Sequence, residues 1–209
     1  MSIWCEREIL LDLNRFPTTE GRKVGKKEAE QKLIPENILE MRQWQAKLYS
    51  EDKQGLLIVL QAMDAAGKGG IIKHVMTGLN PQGTVVSTFK QPSAEELDHD
   101  YLWRIHRETP GRGSIGIFNR SHYEDVLVTR VHNLIGDGRL PREYTTDIWN
   151  KRYNQIRNYE QYLTENGINV VKFFLHISKE GQKERLLSRI NNENKNWKFS
   201  RADIEERKP

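Results

Sequence analysis

Cysteine is nearly missing from this chain: Cys5 is the single one, so no internal disulfide can form and a paired-cysteine metal site is excluded. Cys5 reads as a packing residue or an inert thiol. No apolar run approaches the roughly 20 residues that a membrane helix needs, and the opening MSIWCEREIL lacks the basic-then-apolar order of a signal peptide. The expectation is a cytoplasmic protein with no membrane partner. The histidines His74, His99, His106, His122, His132 and His176 show no zinc spacing with a second ligand, so each reads as structural, with His122 the one to watch. The five tryptophans read as packing rather than as base-stacking platforms. Internal repeats and low-complexity tracts are absent as well.

What is there suits a single soluble α/β domain: 209 residues, 36% apolar and 30% charged. The net charge is +4, and Lys183 to Arg201 alone holds six Lys/Arg against two Glu. Positive charge concentrated in this way suits a polyanionic partner.

Residues 56–70 read LLIVLQAMDAAGKGG. Leu56 to Gln61 predicts a strand buried on both faces, Asp64 to Gly70 an anion-binding turn, and Ile71 to Leu79 the helix that follows. Small residues at Ala65, Ala66, Gly67, Gly69 and Gly70 let backbone N–H groups approach phosphate oxygens, and Lys68 adds a mobile point charge. Against G-x-x-x-x-G-K-[ST], Ala62 stands in place of the first glycine and Gly69 in place of the hydroxyl that would hold magnesium. A hard cation must therefore find another oxygen donor, and Asp64 is the nearest. The competing reading of DAAGKGG is an ordinary turn with a solvated lysine.

Around the loop, strand and helix alternate. Met1 to Pro35 is polar and irregular and reads as an N-terminal arm, leaving 36–209 as the folded domain. In Glu36 to Ser50 the residues Ile38, Met41, Trp44 and Leu48 recur at helical spacing and predict an apolar face. Thr84 to Lys90 predicts a second strand. Ser93 and Glu96 then have capping-box spacing, with Leu97, Tyr101 and Ile105 on the buried side of the helix they open and Arg104 and Arg107 on its other face. Ser114 to Asn119 reads as a third strand, Glu143 to Asn166 as one long helix capped by Gly167, and Asn169 to Ile177 as a fourth strand. This order implies a mostly parallel sheet with helices on both faces.

After the third strand comes FNRSHYEDVLVTRVH, residues 118–132, at the carboxyl edge where open α/β sheets bind ligands. Asn119, Arg120, Glu124 and Asp125 are thereby placed beside the loop. Phosphoryl transfer needs a cation and extra positive charge on the transferring group, which Asp64 with Asp125 and Lys68 with Arg120 would supply. A nucleotide phosphate acceptor is already ionised near neutral pH, so no base is required. Lys73 and Arg130 join the candidate phosphate- or nucleotide-binding residues. A solvated RSHYED turn with local ion pairs is the competing reading.

VLQAMDAAGKGG, DYLWRIH, IFNRSHYEDVLV, KFFLHISKEGQKERLLSRI and WKF, spread over Gly55 to Arg207, resemble the polyphosphate kinase 2 family, particularly its short single-domain branch. The resemblance implies a phosphate-loop kinase fold like that of thymidylate kinase. It also implies reversible phosphoryl transfer between inorganic polyphosphate and nucleotides, with magnesium. By that resemblance Asp64 and Lys68 are essential loop residues, Arg120 contacts phosphate and Asp125 lies at the metal or acceptor side. Asn119 and Glu124 in NRSHYED are those of the branch whose members resemble phosphorylators of both AMP and ADP, which makes AMP, ADP and ATP the nucleotide partners. A homo-oligomer is expected. Four strand candidates stand where phosphate-loop kinases usually have five, and the helix and strand of the family's C-terminal continuation are expected to be missing from this sequence. The basic segment 183–201 resembles a helical lid, with Arg185 and Arg189 four apart on one face and Lys198 and Arg201 following; Trp197 and Phe199 argue against a purely solvated stretch. Two other readings compete: an ATP-dependent small-molecule kinase, which needs a base pocket on the donor side, and a basic nucleic-acid-binding module. The latter finds no recognition motif here, and the basic residues interleave with acids, so no nucleic-acid partner is expected.

Overall fold

The computed structural model describes residues 12–19, 24–137 and 140–191. Cys5, Lys198 and Arg201, with the part of the expected lid beyond residue 191, lie outside the described residues.

Five apolar residues in a row, Leu56 to Leu60, make sense only for a strand covered on both sides. They form the centre of β1 (Gly55–Ala62), which is flanked by two parallel neighbours. The sheet order is β2-β3-β1-β4, with β2 Thr84–Thr88, β3 Ile115–Asn119 and β4 Ile168–Leu175, and all three pairings are parallel. Alternation along β1 sends Leu57 and Val59 to one face and Ile58 and Leu60 to the other. On the first face they meet Phe89, Ile105, Phe118 and Leu163; on the second they meet Leu79, Ile115 and Ile117, with Met41, Leu48, Ile71 and Ile72 packed against them. Each fully buried side chain of this size contributes about 1.5–3 kcal/mol relative to exposure.

The helices among the described residues are α1 (Lys26–Glu28), α2 (Ile34–Glu51), α3 (Lys68–Val75), α4 (Ala94–Leu97), α5 (Trp103–Arg107), α6 (Val128–Val131), α7 (Arg142–Thr145), α8 (Ile148–Glu165) and α9 (Lys179–Ile190), of which α2, α3, α5 and α8 supply these core contacts. A π-helical stretch, Ala29–Leu33, joins α1 to α2, so helix begins within the segment expected to be an irregular arm. Ser93 and Glu96 make both hydrogen bonds of the expected capping box.

Four expectations change. Trp44 is 61% exposed while its neighbour Gln45 is buried, because Gln45 is needed as a polar bridge: its amide nitrogen donates to the Asn80 carbonyl and Thr84 Oγ1, and its oxygen accepts from the Asn80 N–H. Arg104, expected on an exposed face, is buried. Its helix is two short pieces, α4 and α5, rather than one, and Leu97 is left exposed. The single helix expected over 143–166 is broken at Asp147, whose backbone is left-handed (φ 53), separating α7 from α8. Because β4 is an edge strand, Phe173 and Phe174 stay half-exposed.

Candidate active site at the carboxyl edge of the sheet

The turn after β1 reverses the chain through left-handed backbone at Ala65 (φ 62) and Gly67 (φ 103). Gly67 caps α3 without a side-chain hydrogen bond; the N–H of Gly70 donates to the Gly67 carbonyl at 2.9 Å, and those of Lys68 and Gly69 form the anion-directed end of the helix. A Cβ built on Gly69 or Gly70 would meet nothing within 4 Å, so the approach is open. Lys68, the first residue of α3, folds back and donates to the Ala62 carbonyl at 2.7 Å. Burial is the main reason its ammonium titrates below the usual lysine range; Asp64 opposes the shift, and the nearby charges of Arg120 and Arg189 add to it.

The end of β3 faces this turn. Asn119 pairs with Leu60 of β1, and the next residue, Arg120, turns in left-handed backbone (φ 67), an uncommon conformation for a side-chain-bearing residue. Its guanidinium lies 3.2 Å from Asp64 Oδ1 and 3.7 Å from Glu124 Oε2. Glu124 in turn accepts from Gln61 Nε2 at 2.7 Å. Asp64, Lys68, Arg120 and Glu124 therefore converge, as the order of motifs implied.

Other candidates are placed elsewhere. Asp125 is turned away from the turn into a buried ionic group: Arg104 Nη2 lies 3.7 Å from its Oδ2, and Arg152 Nη1 donates to its carbonyl at 2.7 Å. Burial pushes its carboxyl above the ordinary aspartate value, against the pull of Arg104 and Arg152. Of the two carboxylates that the residues suggested for metal, Asp64 stands at the turn while Glu124, not Asp125, stands across Arg120 from it. Lys73 is exposed near the end of α3. Arg130 donates to the Tyr153 hydroxyl at 3.2 Å and lies over the Trp149 ring, beside a cavity of about 450 Å³ lined by Tyr123, Tyr153, Asn154 and Arg157.

Gln182 and Glu160 escaped sequence reasoning, and Arg185 stands in another role than the one expected of it. Gln182 of α9 is buried and donates to the Asp64 carbonyl at 3.1 Å; Arg185, expected to be a mobile lid residue, donates to the Ala66 carbonyl at 2.6 Å and to that of Ala65 at 3.4 Å. The spacing of three between Gln182 and Arg185 was the available signal, since it sets them on one helix face. Behind the NRSHYED turn, Glu160 accepts from the Tyr123 hydroxyl (2.8 Å) and Lys172 (2.6 Å) and sits 3.1 Å from Nε2 of the fully buried His122.

Asp64 and Glu124 offer oxygen donors alone, which suits a hard divalent cation rather than zinc or copper. Among the described residues no group of three or more His, Cys, Asp or Glu side chains could hold a metal. A cation here would share its shell with phosphate oxygens and water, which is how magnesium is usually bound.

A parallel sheet with the anion-binding turn after its central strand, and a basic-acidic turn after the neighbouring strand, defines a phosphate-loop kinase. A family model described as polyphosphate kinase 2 (PPK2) matches residues 23–209, and the chain belongs to that family. It is 48% identical over 200 residues to an ADP-polyphosphate phosphotransferase of Rhodopseudomonas palustris, spanning 94% of this chain and 69% of the relative. It is 44% identical to an AMP/ADP-polyphosphate phosphotransferase of Meiothermus ruber, over 94% of this chain and 71% of that one. The crystal structure of polyphosphate kinase 2 from Arthrobacter aurescens TC1 superposes with a TM-score of 0.84 at 39% identity, covering 94% of this chain and 68% of that chain. This is a transferase, a polyphosphate-dependent nucleotide kinase, and neither alternative reading is favoured. Phosphotransferases of this kind generally use a divalent metal. No helix among the described residues is long and apolar enough to cross a membrane.

Proposed function

We propose that this enzyme moves the terminal phosphoryl group of inorganic polyphosphate onto AMP and onto ADP, yielding ADP and ATP, and that it runs in both directions. The terminal P–O–P bridge of polyphosphate breaks, a nucleotide phosphate oxygen forms the new P–O bond, and the shortened polyphosphate leaves with the bridging oxygen. The observation that carries the reading is the position of Arg120 between Asp64 and Glu124, next to the half-buried ammonium of Lys68. Two cations aimed at one place stabilise the charge that spreads over the transferring group. Asn119 and Glu124 agree with acceptance of both nucleotides, as does the name of the Meiothermus ruber relative.

Lys68 leaves the Ala62 carbonyl for a phosphate oxygen, and Arg120 exchanges its carboxylates for the same group. Asp64 and Glu124 would hold magnesium, which supplies charge neutralisation on the phosphate oxygens when bound. Asp125 orients the acceptor side through Arg104 and Arg152. Arg189, with the basic residues after it, closes over the polyanion. The reading includes a domain from 36 to 209 preceded by an arm, a cytoplasmic location and a homo-oligomer.

ATP formation from ADP, and ADP formation from AMP, with polyphosphate as sole donor and magnesium present, tests the proposal. Asp64→Asn keeps the shape and removes the charge, and turnover should fall at least about a hundredfold. No transfer by the wild type, or normal turnover by the variant, overturns it.

A further inference from the structure

We infer that Gln182 and Arg185 of α9 are positioning residues that set the phosphate loop in its anion-binding shape. The inference rests on that loop being the phosphate site. A trans peptide is planar with its C=O and N–H opposed, and no peptide bond among the described residues is cis. The Asp64 and Ala66 carbonyls both point at α9, where Gln182 Nε2 and Arg185 Nη1 hold them at 3.1 and 2.6 Å. The N–H groups of Ala65 and Gly67, the other ends of those two peptides, must then point away from α9.

Those two N–H groups belong to the two left-handed residues of the turn. The N–H between them, that of Ala66, is engaged with the Met63 carbonyl at 3.2 Å. Alternating left-handed backbone of this kind forms a concave nest for an anion. Gly67 adopts it freely. Ala65 does not: a Cβ makes the left-handed state unfavourable by about 1–2 kcal/mol, and such a residue persists only where its surroundings over-determine it. The donors on α9 are that determinant, on either side of the strained residue. A Cβ on Gly67 would also come within 3.2 Å of Arg185 Nη1, so loop and helix are fitted to each other.

Gln182 separates this role from that of a charged lid gripping polyphosphate. It carries no charge, is buried, and donates to loop backbone. Gln182→Leu should lower kcat/KM about tenfold, the scale of one lost hydrogen bond to a preorganised group, with most of the loss in kcat. The dependence of rate on salt should stay as in the wild type. Arg185→Gln should do the same, and Arg185→Lys should recover part of the loss. Adding Ala65→Gly to Gln182→Leu should restore part of kcat, because glycine holds the left-handed state without the donor; a purely structural role for Gln182 gives no such rescue. Melting temperatures establish that each variant is folded, and Gln182→Asn, which keeps polarity but shortens the reach, replaces Gln182→Leu if that one is not. The inference is overturned by a folded Gln182 variant with unchanged kcat/KM, by absence of rescue, or by Arg185→Gln raising only the KM for polyphosphate and flattening its salt dependence. Lys68→Met is measured alongside. Loss of transfer in Lys68→Met with a silent Gln182 variant sinks the positioning role alone, whereas normal transfer in Lys68→Met sinks the phosphate site itself.

Discussion

Glu160 has one oxygen shared by His122 and Tyr123 and the other held by Lys172. Burial alone would raise its pKa, but the hydrogen bonds from His122 and Lys172 outweigh burial and hold it below the ordinary glutamate value of 4.5. A carboxyl depressed on folding adds stability that is present above the unfolded pKa and lost as pH falls through the folded one. Glu160→Gln should thus destabilise the protein by about 3 kcal/mol near neutral pH. That is the low end for breaking a buried pair, because Lys172 is 48% exposed and partly screened. The difference from wild type should shrink below about pH 4.5. Asp125 works the other way, since burial raises its carboxyl; comparing variant with wild type by urea unfolding across pH isolates Glu160. A constant difference down to pH 3 or so would refute the assignment.

Helix α2 shows how far a pattern reaches. Ile38, Met41 and Leu48 repeat at helical spacing, and Met41 and Leu48 do pack on the core, but Trp44 does not. Periodicity counts apolarity, and the place next to the bend at Asn80 calls for hydrogen bonds instead, which only Gln45 can make. Gln45→Leu should therefore cost about 2 kcal/mol by leaving the Asn80 backbone unsatisfied, while Trp44→Ala should stay within about 0.5 kcal/mol. Chemical denaturation of both variants checks the contrast, and equal losses would contradict it. The same blindness to distant partners hid the buried Arg104 and the grip of Gln182 on the loop. The loop itself, the capping box at Ser93 and the strands were legible because their causes are local: a run of apolar residues, a cap three residues from its partner, a glycine at a reversal.

At the scale of the whole molecule, the order β2-β3-β1-β4 sets the ends of β1 and β3 side by side, and this brings Lys68 within the field of Arg120 from motifs about fifty residues apart. Residues acting on one transferring group lose their effects non-additively. The Lys68→Ala, Arg120→Ala double variant should have a kcat/KM close to that of the worse single variant. Multiplication of the two single effects would place them at separate sites.

The hydrogen bond of Lys68 to the Ala62 carbonyl bears on how tightly any phosphate can be held. Folding has already stripped much of the water from that ammonium and given it a neutral dipole as companion. An arriving phosphate oxygen need only replace one carbonyl, and full charge meets full charge where part of the solvent has already been removed. The exchange costs the enzyme little reorganisation, and its reversal is as direct: on product departure the carbonyl takes the ammonium back. A lysine with a resting partner of this kind favours rapid turnover of phosphate groups over their tight retention.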